Sequence, residues 1–167
     1  PITFSTYTVS GINAQGCEGF ATYTVSPAPL PNISIAQSSQ SVCGGFPVTF
    51  TANGANSYTW FAVVGNSVTT VMPLVPSTYT VNGESLGGCG STQTVSVGIY
   101  PAPIVNIVPS SATVCSSAPI TFTATGASSY SWNGVAGTQI ASYSPIGNTS
   151  YTVSGNDAIT GCTANAI

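Results

Sequence analysis

Polar and apolar residues alternate with a period of two over most of this chain, in short segments that turn residues separate. In the segment Val48–Asn53, for example, Val48, Phe50 and Ala52 alternate with threonine and asparagine. This pattern is typical of half-buried β-strands. No stretch of useful length follows the 3.6-residue period of a helix. We therefore predict an all-β fold of short antiparallel strands that form a β-sandwich.

The strand pattern recurs at a fixed spacing. Tyr7, Tyr79 and Tyr151 each lie in a Tyr-Thr-Val stretch, and the interval from each tyrosine to the next is the same. Trp60 and Trp132 are separated by this interval as well. We interpret it as the period of a tandem array of small Ig-like sandwich repeats, each of about 72 residues. Positions that this interval separates are therefore equivalent in successive repeats.

Proline-rich segments at 27–31 and 101–103 separate the repeats and favour stiff, extended joints. We predict three parts: the last two strands of a first repeat at 1–28, a complete second repeat at 29–101, and a third repeat at 102–167 that lacks the end of its last strand. Both ends of the chain carry the same part of the repeat, which argues against simple exchange of a strand between subunits. We interpret the sequence as a window on a longer continuous array.

Cysteines recur with the repeat. Cys43 and Cys89 are 46 residues apart, and Cys115 and Cys162 are 47 apart. One such pair in each complete repeat predicts the disulfides Cys43–Cys89 and Cys115–Cys162, with Cys17 unpaired in this sequence. Disulfides form in oxidising compartments, so we expect an extracellular protein. Two cysteines per repeat, without histidine, are too few ligands for a metal site.

Charge is almost absent. The chain has no Lys, Arg or His, and its acids are Glu18, Glu84 and Asp157. Without cations, nucleic acid and anionic membrane surfaces are poor partners. No apolar run approaches the length of a membrane helix. Nucleophilic catalysis needs a base beside the nucleophile, so we predict that the chain is not an enzyme and binds no cofactor or metal.

Two aromatic positions are candidates for contact. Trp60 and Trp132 are most simply core residues between two sheets, and the alternative is a stacking site for sugar. The repeats diverge directly after each tryptophan, and loops are where binding residues concentrate. We therefore predict a contact loop at Trp60 and Phe61 in the second repeat, and at Trp132 and Asn133 in the third.

Glycosylation is a further hypothesis. Asn32 and Asn148 each begin an Asn-x-Ser/Thr sequon. The mean hydropathy is +0.35 although the chain is almost uncharged. A hydrophilic coat of glycan on Asn, Ser or Thr would account for solubility.

A longer series of motifs occurs once in each of the last two repeats: Cys, Pro-Val/Ile-Thr-Phe-Thr-Ala, Gly-Ala, Ser-Tyr-Thr/Ser-Trp, Tyr-Thr-Val and Gly-Cys. Its residues are Cys43, 47–52, 54–55, 57–60, 77–81, 88–89, and Cys115, 119–124, 126–127, 129–132, 150–153, 161–162. This series resembles the Ig-like or PKD-like repeats of long Bacteroidota surface proteins, such as gliding adhesins and filaments exported by the type IX system. The resemblance implies a stalk or fibre without activity of its own.

We therefore expect an extracellular structural repeat protein that forms a stalk or filament on or from a bacterial cell surface. Its expected partners are other repeats or copies of itself, together with attached or bound glycan. The alternative is a carbohydrate-binding adhesin module that uses the Trp and Tyr loops.

Overall fold

Strands account for all the regular elements in the part of the chain that the structure, a computed structural model, describes, namely residues 3–61 and 63–167. The predicted all-β fold is confirmed. Within these residues, no helix is long and apolar enough to cross a membrane. In chain order the strands are β1 (Ser5–Ile12), β2 (Glu18–Val25), β3 (Ser34–Gln37), β4 (Ser41–Cys43), β5 (Val48–Asn53), β6 (Ser57–Trp60), β7 (Val63–Gly65), β8 (Val68–Val71), β9 (Ser77–Glu84), β10 (Gly90–Tyr100), β11 (Asn106–Val108), β12 (Ile120–Thr125), β13 (Ser129–Trp132), β14 (Val135–Gly137), β15 (Ile140–Tyr143), β16 (Val153–Asn156) and β17 (Thr163–Ala166).

Burial follows the alternation along the strands. In β5, Val48, Phe50 and Ala52 are buried, whereas Thr49 and Thr51 are half-buried. Successive side chains of a strand point to opposite faces, so the apolar set faces the core and the hydroxyl set faces outward.

Within the described residues, the strands form five sheets. Their strand orders are β1-β2, β3-β5-β8, β4-β10-β9-β6-β7, β11-β12-β15 and β14-β13-β16-β17. Strand β1 pairs with β2, β12 with β15, and β13 with β16 in antiparallel register, whereas β4 pairs in parallel with the last residues of β10.

In the third repeat, two sheets face each other across an aromatic core. Phe122 on β12 belongs to one sheet, and Trp132 on β13 belongs to the other. Their rings are stacked with centroids 6.2 Å apart. Ala124, Trp132 and Val153 form the buried centre of this core. Aromatic residues fill the space between packed sheets well because each buries a large apolar area.

The chain folds into two compact units. The first consists of residues 1–35, 51–68 and 80–94, and the second consists of 36–50, 69–79 and 95–167. The buried apolar residues of the first unit are Ile33, Ala52, Tyr58, Trp60 and Val81. Those of the second are Val48, Phe50, Val97, Ala124, Trp132, Val153 and Cys162. The repeat boundaries that we predict near residues 28 and 101 stay a prediction.

A tyrosine closes the turn before β6 and the equivalent turn before β13. The hydroxyl of Tyr130 accepts the N–H of Ala127 at 3.0 Å and donates to the carbonyl of the same residue at 2.9 Å. Tyr58 makes the same pair of bonds with Ala55, at 2.9 and 3.2 Å. The hydroxyl thus satisfies backbone groups that the turn leaves without strand partners.

We expect the substitution Tyr130→Phe to lower the free energy of unfolding by about 1–2 kcal/mol, because it leaves the part-buried N–H and C=O of Ala127 unpaired. Urea denaturation followed by tryptophan fluorescence measures the change. Tyr23, which is 74% exposed, supplies the control. Tyr23→Phe should change stability by less than about 0.5 kcal/mol, and equal losses in the two variants would contradict this role of the Tyr130 hydroxyl.

Candidate functional site

Both tryptophans lie in the core. Trp60 and Trp132 are each 4% exposed. The indole N–H of Trp132 donates a hydrogen bond to the carbonyl of Thr138 at 3.0 Å. Stacking on a sugar requires an open ring face, and neither indole presents one. The interpretation of these residues as core residues agrees with their burial.

The segment after Trp132, where we predict one of the two contact loops, forms a tight hairpin turn. Phe61 and Asn133 have positive φ angles of 52° and 48°, and Gly134 follows with 81°. Two consecutive positive φ angles are the type I′ geometry that suits a two-residue hairpin. The backbone N–H of Asn133 donates to the carbonyl of Thr152, and its Oδ1 accepts the Thr152 N–H. Asn133 therefore shapes the hairpin and ties it to a neighbouring segment.

Phe61 is 49% exposed, so part of its ring is available for contact. Ala62, which follows it in the predicted loop, lies outside the described residues. The contact role of this loop stays a prediction.

The cysteine pairing differs from the prediction. Cys43 is bonded to Cys162, with the two Cα atoms 5.5 Å apart. Cys17, Cys89 and Cys115, which all lie in the described part of the chain, carry free thiols. The predicted bonds Cys43–Cys89 and Cys115–Cys162 are therefore wrong.

Strand geometry explains why Cys43 does not pair with Cys89. Cys89 immediately precedes β10, whereas Cys43 lies opposite Tyr100, the last residue of that strand. β10 has 11 residues, and at a rise of about 3.3 Å per residue its two ends are roughly 33 Å apart. A disulfide needs Cα atoms within about 7 Å of each other. The two cysteines therefore lie at opposite ends of one strand.

The observed disulfide connects two successive sequence repeats. Cys43 belongs to the second repeat, where it ends β4 beside Tyr100. Cys162 belongs to the third repeat, where it directly precedes β17 in the β16–β17 hairpin, and it is 1% exposed. The hairpin turn of the third repeat thus meets the end of the β4–β10 pair in the second repeat.

Cys89 lies in a similar setting one repeat earlier. Its Sγ lies 3.7 Å from the carbonyl oxygen of Ala28, and Ala28 is equivalent to Tyr100 in the preceding repeat. A Cβ added at Gly87, in the same turn, would lie 3.1 Å from the Cβ of Ala28. The turn that carries Cys89 therefore contacts the position equivalent to Tyr100, as expected for a second junction of the same kind.

An uncharged groove of ≈ 550 Å³ lies in the third repeat beside Cys115. Val114 and Ser116, on either side of Cys115 in the chain, both line it. Phe122 and Tyr151 are the aromatic residues of its lining, and none of the lining residues is charged. The thiol of Cys115 is exposed.

The residues at the equivalent core positions of the second repeat are buried. Val48 and Phe50 are both 0% exposed, and Val97, in the second half of β10, is 2% exposed. The counterparts of Val48 and Phe50, Ile120 and Phe122, are half-buried and line the groove. These positions are therefore more exposed in the third repeat than in the second. A groove of this kind has no sequence motif that predicts it.

The carboxylate of Asp157 is held by hydrogen bonds in a turn. Oδ1 of Asp157 accepts the backbone N–H groups of Ile159 and Thr160, each at 2.9 Å, and the Thr160 hydroxyl. The N–H of Thr160, and then that of Ile159, hold the pKa of Asp157 below its ordinary value. Its carboxylate thus shapes the turn before Cys162. Within residues 3–61 and 63–167, no cluster of three or more His, Cys, Asp or Glu residues could hold a metal ion.

The two predicted glycosylation sites are both exposed. Asn148 lies on the border of the groove, and Asn32 precedes β3. Attachment of a glycan requires an accessible side-chain amide, and both sites meet this requirement. Glycosylation at either site stays a prediction.

No family model matches this chain, and no curated protein matches it. Among solved structures, the chain is similar to SGBP-B of the mixed-linkage glucan utilization locus of Bacteroides ovatus, in complex with mixed-linkage heptasaccharide. The sequence identity is 12% and the TM-score is 0.24. The match covers 97% of this chain and 49% of that one, so this chain spans about half its length. A similarity with so low a TM-score carries no argument about what this chain does.

Proposed function

We propose that this chain is an extracellular structural repeat protein that forms a stalk or filament on a bacterial cell surface. The observation that carries the proposal is the Cys43–Cys162 disulfide, which joins two successive sequence repeats. A bond inside one repeat would stabilise only that repeat. Both cysteines lie in one compact unit, and the bond between them keeps the segment that it encloses from extending under tension, which is what a stalk requires.

The surface supports the same role. The chain has no cation and three acids, so contacts between copies meet little charge repulsion. Many outward positions on the strands carry hydroxyl groups, as in the pairs Thr49–Thr70 and Thr121–Ser142, which hydrogen-bond across neighbouring strands at 3.0 and 2.7 Å. The disulfide also favours an oxidising, extracellular compartment.

Pulling the oxidised chain by its two ends should leave the segment between Cys43 and Cys162 unextended. Because the sequence separation is 119 residues, reduction should release about 400 Å of extra length at roughly 3.4 Å per residue. Single-molecule force measurement with and without dithiothreitol gives this length. Two releases of about 160 Å each would indicate the bonds Cys43–Cys89 and Cys115–Cys162 instead and would remove the main support for the proposal.

The second candidate function is glycan binding at the groove beside Cys115. The observation in its favour is the uncharged lining, which combines the ring of Tyr151 with Asn148 and several hydroxyl residues. Sugars are recognised by such pairings of an aromatic face with neutral hydrogen-bonding groups. Calorimetric titration with neutral glycans separates the two candidates. Heat of binding that the substitution Tyr151→Ala removes would favour an adhesin over a stalk.

A further inference from the structure

Strand β8 forms an open edge of its sheet. The strand order of this sheet is β3-β5-β8, so β8 pairs with β5 on one side and, in the part of the chain that the structure describes, has no strand on the other. The third repeat has the same arrangement, because β15 is the outer strand of the sheet β11-β12-β15. Since both repeats leave this strand at an edge, the open edge is a property of the repeat itself.

The backbone groups of Val68 and Thr70 point away from β5. The N–H of Ala52 on β5 donates to the carbonyl of Ser67 at 2.8 Å, as in the equivalent antiparallel pair of β12 and β15. In such a pair, hydrogen-bonded residues alternate with residues whose N–H and C=O groups face outward. The hydroxyls of Thr49 and Thr70 lie 3.0 Å apart, as expected for residues that face each other between two hydrogen-bonded pairs. The edge therefore presents main-chain donors and acceptors at residues 68 and 70.

The exposed side chains along this edge have a self-complementary order. Val68, Thr70 and Met72 are exposed, and the two residues between them are half-buried. The carbonyl of Pro73 accepts the N–H of Gly45 at 2.8 Å, so the segment stays bound to its own sandwich as far as residue 73. One hydroxyl residue is thus flanked by an apolar residue on each side, and this order reads the same in both directions.

We propose that this edge pairs with the same edge of a second copy of the chain, in antiparallel register about a two-fold axis at Thr70. Thr70 then lies opposite Thr70 of the second copy, and Val68 lies opposite Met72 of the second copy. Two-fold dimers that use the same surface of both subunits are the commonest soluble oligomers. The inference rests on the proposed function as a stalk or filament and names the surface through which two such molecules associate.

The pairing satisfies backbone groups and buries apolar side chains together. Residues directly opposite each other in an antiparallel pair exchange two hydrogen bonds, so the three opposite pairs contribute about six main-chain bonds. Val68 and Met72 are 49% and 67% exposed in the single chain, and each covers the other across the two-fold axis. Cross-strand pairs of threonine, and of apolar residues, stabilise a sheet.

The edge lacks the features that usually prevent such pairing. Natural sheet edges are protected by lysine, by proline within the strand or by a bulge. Strand β8 has the sequence Val-Thr-Thr-Val, and the chain contains neither Lys nor Arg. Two copies therefore approach each other with little charge repulsion.

Exposed apolar residues beside the edge extend the surface. Phe46 and Leu74 are 54% and 75% exposed. They belong to neighbouring turns, since a Cβ added at Gly45 would lie 3.6 Å from Cδ2 of Leu74. Clustered apolar residues on the surface of a protein mark sites of association.

The equivalent edge of the third repeat is less suited to self-pairing. The positions equivalent to 68, 70 and 72 are Ile140, Ser142 and Ser144. In the same register, Ile140 would lie opposite a serine of the second copy. The hydroxyl of Thr138 also donates to the carbonyl of Ile140 at 2.7 Å, so this carbonyl already has a partner. The third repeat therefore supplies matched control positions.

Sedimentation equilibrium of the full chain over a range of concentrations tests the proposal. The free thiols of Cys17, Cys89 and Cys115 are first alkylated without reductant, so that only non-covalent association is measured. We expect a reversible equilibrium between monomer and dimer. A chain that stays monomeric at every concentration would overturn the proposal.

Matched variants locate the dimer contact. Thr70→Pro should raise the dissociation constant of the dimer by about tenfold or more, because two main-chain hydrogen bonds across the axis are lost. The N–H of Thr70 points away from β5, so proline spares the pairing within the sheet. Val68→Lys should weaken the dimer to a similar extent, since a lysine at an edge opposes strand pairing.

The controls are the same substitutions at the equivalent positions of the third repeat. Ser142→Pro and Ile140→Lys should leave the dissociation constant within about twofold of that of the parent chain. Equal effects of the two proline variants, or of the two lysine variants, would overturn the assignment of the contact to β8.

The double variant Val68→Lys, Met72→Glu tests the register. Each lysine then lies opposite a glutamate of the second copy, and opposite charges on facing residues stabilise a strand pair. Within one chain the two positions are about 13 Å apart, too far for a direct ion pair. The double variant should therefore dimerise more tightly than Val68→Lys, and a dimer no tighter than that of the single variant would overturn the register about Thr70.

The result is independent of the test of the proposed function. Molecules that show the single release of about 400 Å on reduction, but do not dimerise, would leave the stalk proposal standing and overturn the pairing of edges. A dimer that Thr70→Pro disrupts, in a chain without that release, would overturn the stalk argument from Cys43–Cys162 and support the pairing of β8.

Discussion

Replacing Cys43 with Ser should lower the free energy of unfolding by about 5 kcal/mol, since the chain-entropy model assigns roughly this value to a closed loop of such length. The loop spans a sequence separation of 119 residues, from Cys43 to Cys162. Net stabilities of domains are themselves only about 5–15 kcal/mol. The variant should therefore be close to unfolding at room temperature. Urea denaturation without reductant measures the loss.

The substitution Cys89→Ser is the matched control, because the Cys89 thiol is free. It should change the free energy of unfolding by less than about 0.5 kcal/mol. In dithiothreitol, the Cys43→Ser variant and the parent chain should have the same stability. If Cys89→Ser cost as much as Cys43→Ser, the pairing of Cys43 with Cys162 would be contradicted.

The substitution Gly126→Ala should lower the free energy of unfolding by about 4 kcal/mol, because it combines a strained backbone angle with overpacking. Gly126 has a φ angle of +96°, which side chains other than glycine rarely adopt. A Cβ at this position would also overlap the carbonyl oxygen of Ile104. Gly54, the equivalent position one repeat earlier, has a φ of +97° and the same overlap with the carbonyl of Asn32. We expect Gly54→Ala to lower the free energy of unfolding by a similar amount.

The substitution Gly134→Ala separates the cost of the strained backbone angle from the cost of the steric overlap. Gly134 has a φ of +81°, but a Cβ there would have no neighbour within 4 Å. This variant should lose only about 1–2 kcal/mol, the cost of a left-handed conformation. Thermal or urea denaturation of the three variants gives the comparison. Similar losses at Gly126 and Gly134 would show that the contact with Ile104 contributes little.

Much of the fold could be predicted because the signals are local. The alternation of Val48, Phe50 and Ala52 with polar residues is visible within a short segment, and β5 is buried as this pattern requires. The burial of Trp60 and Trp132 also follows from their place in strands that lie between polar turns. The face of a strand that packs on the core carries the apolar residues, so the alternation within the strand's own sequence identifies that face.

The candidate site could be predicted only in part. The cysteines were visible, yet their regular spacing favoured the wrong partners. The groove beside Cys115 carries no motif, since its lining comes from segments far apart in the chain. Two features of the sequence indicated that disulfides could connect different repeats. The number of cysteines is odd, and Cys89 and Cys162 occupy equivalent positions.

The strands, the turns and the regular spacing of equivalent positions follow from the amino-acid sequence, because side-chain alternation and turn chemistry act over a few residues. The pairing of the cysteines, in contrast, depends on how the strands pack in three dimensions. The parallel pairing of β4 with the end of β10 places Cys43 beside Tyr100, a strand length away from Cys89. A disulfide depends on the distance between two Cα atoms in space, and separation along the chain does not determine that distance.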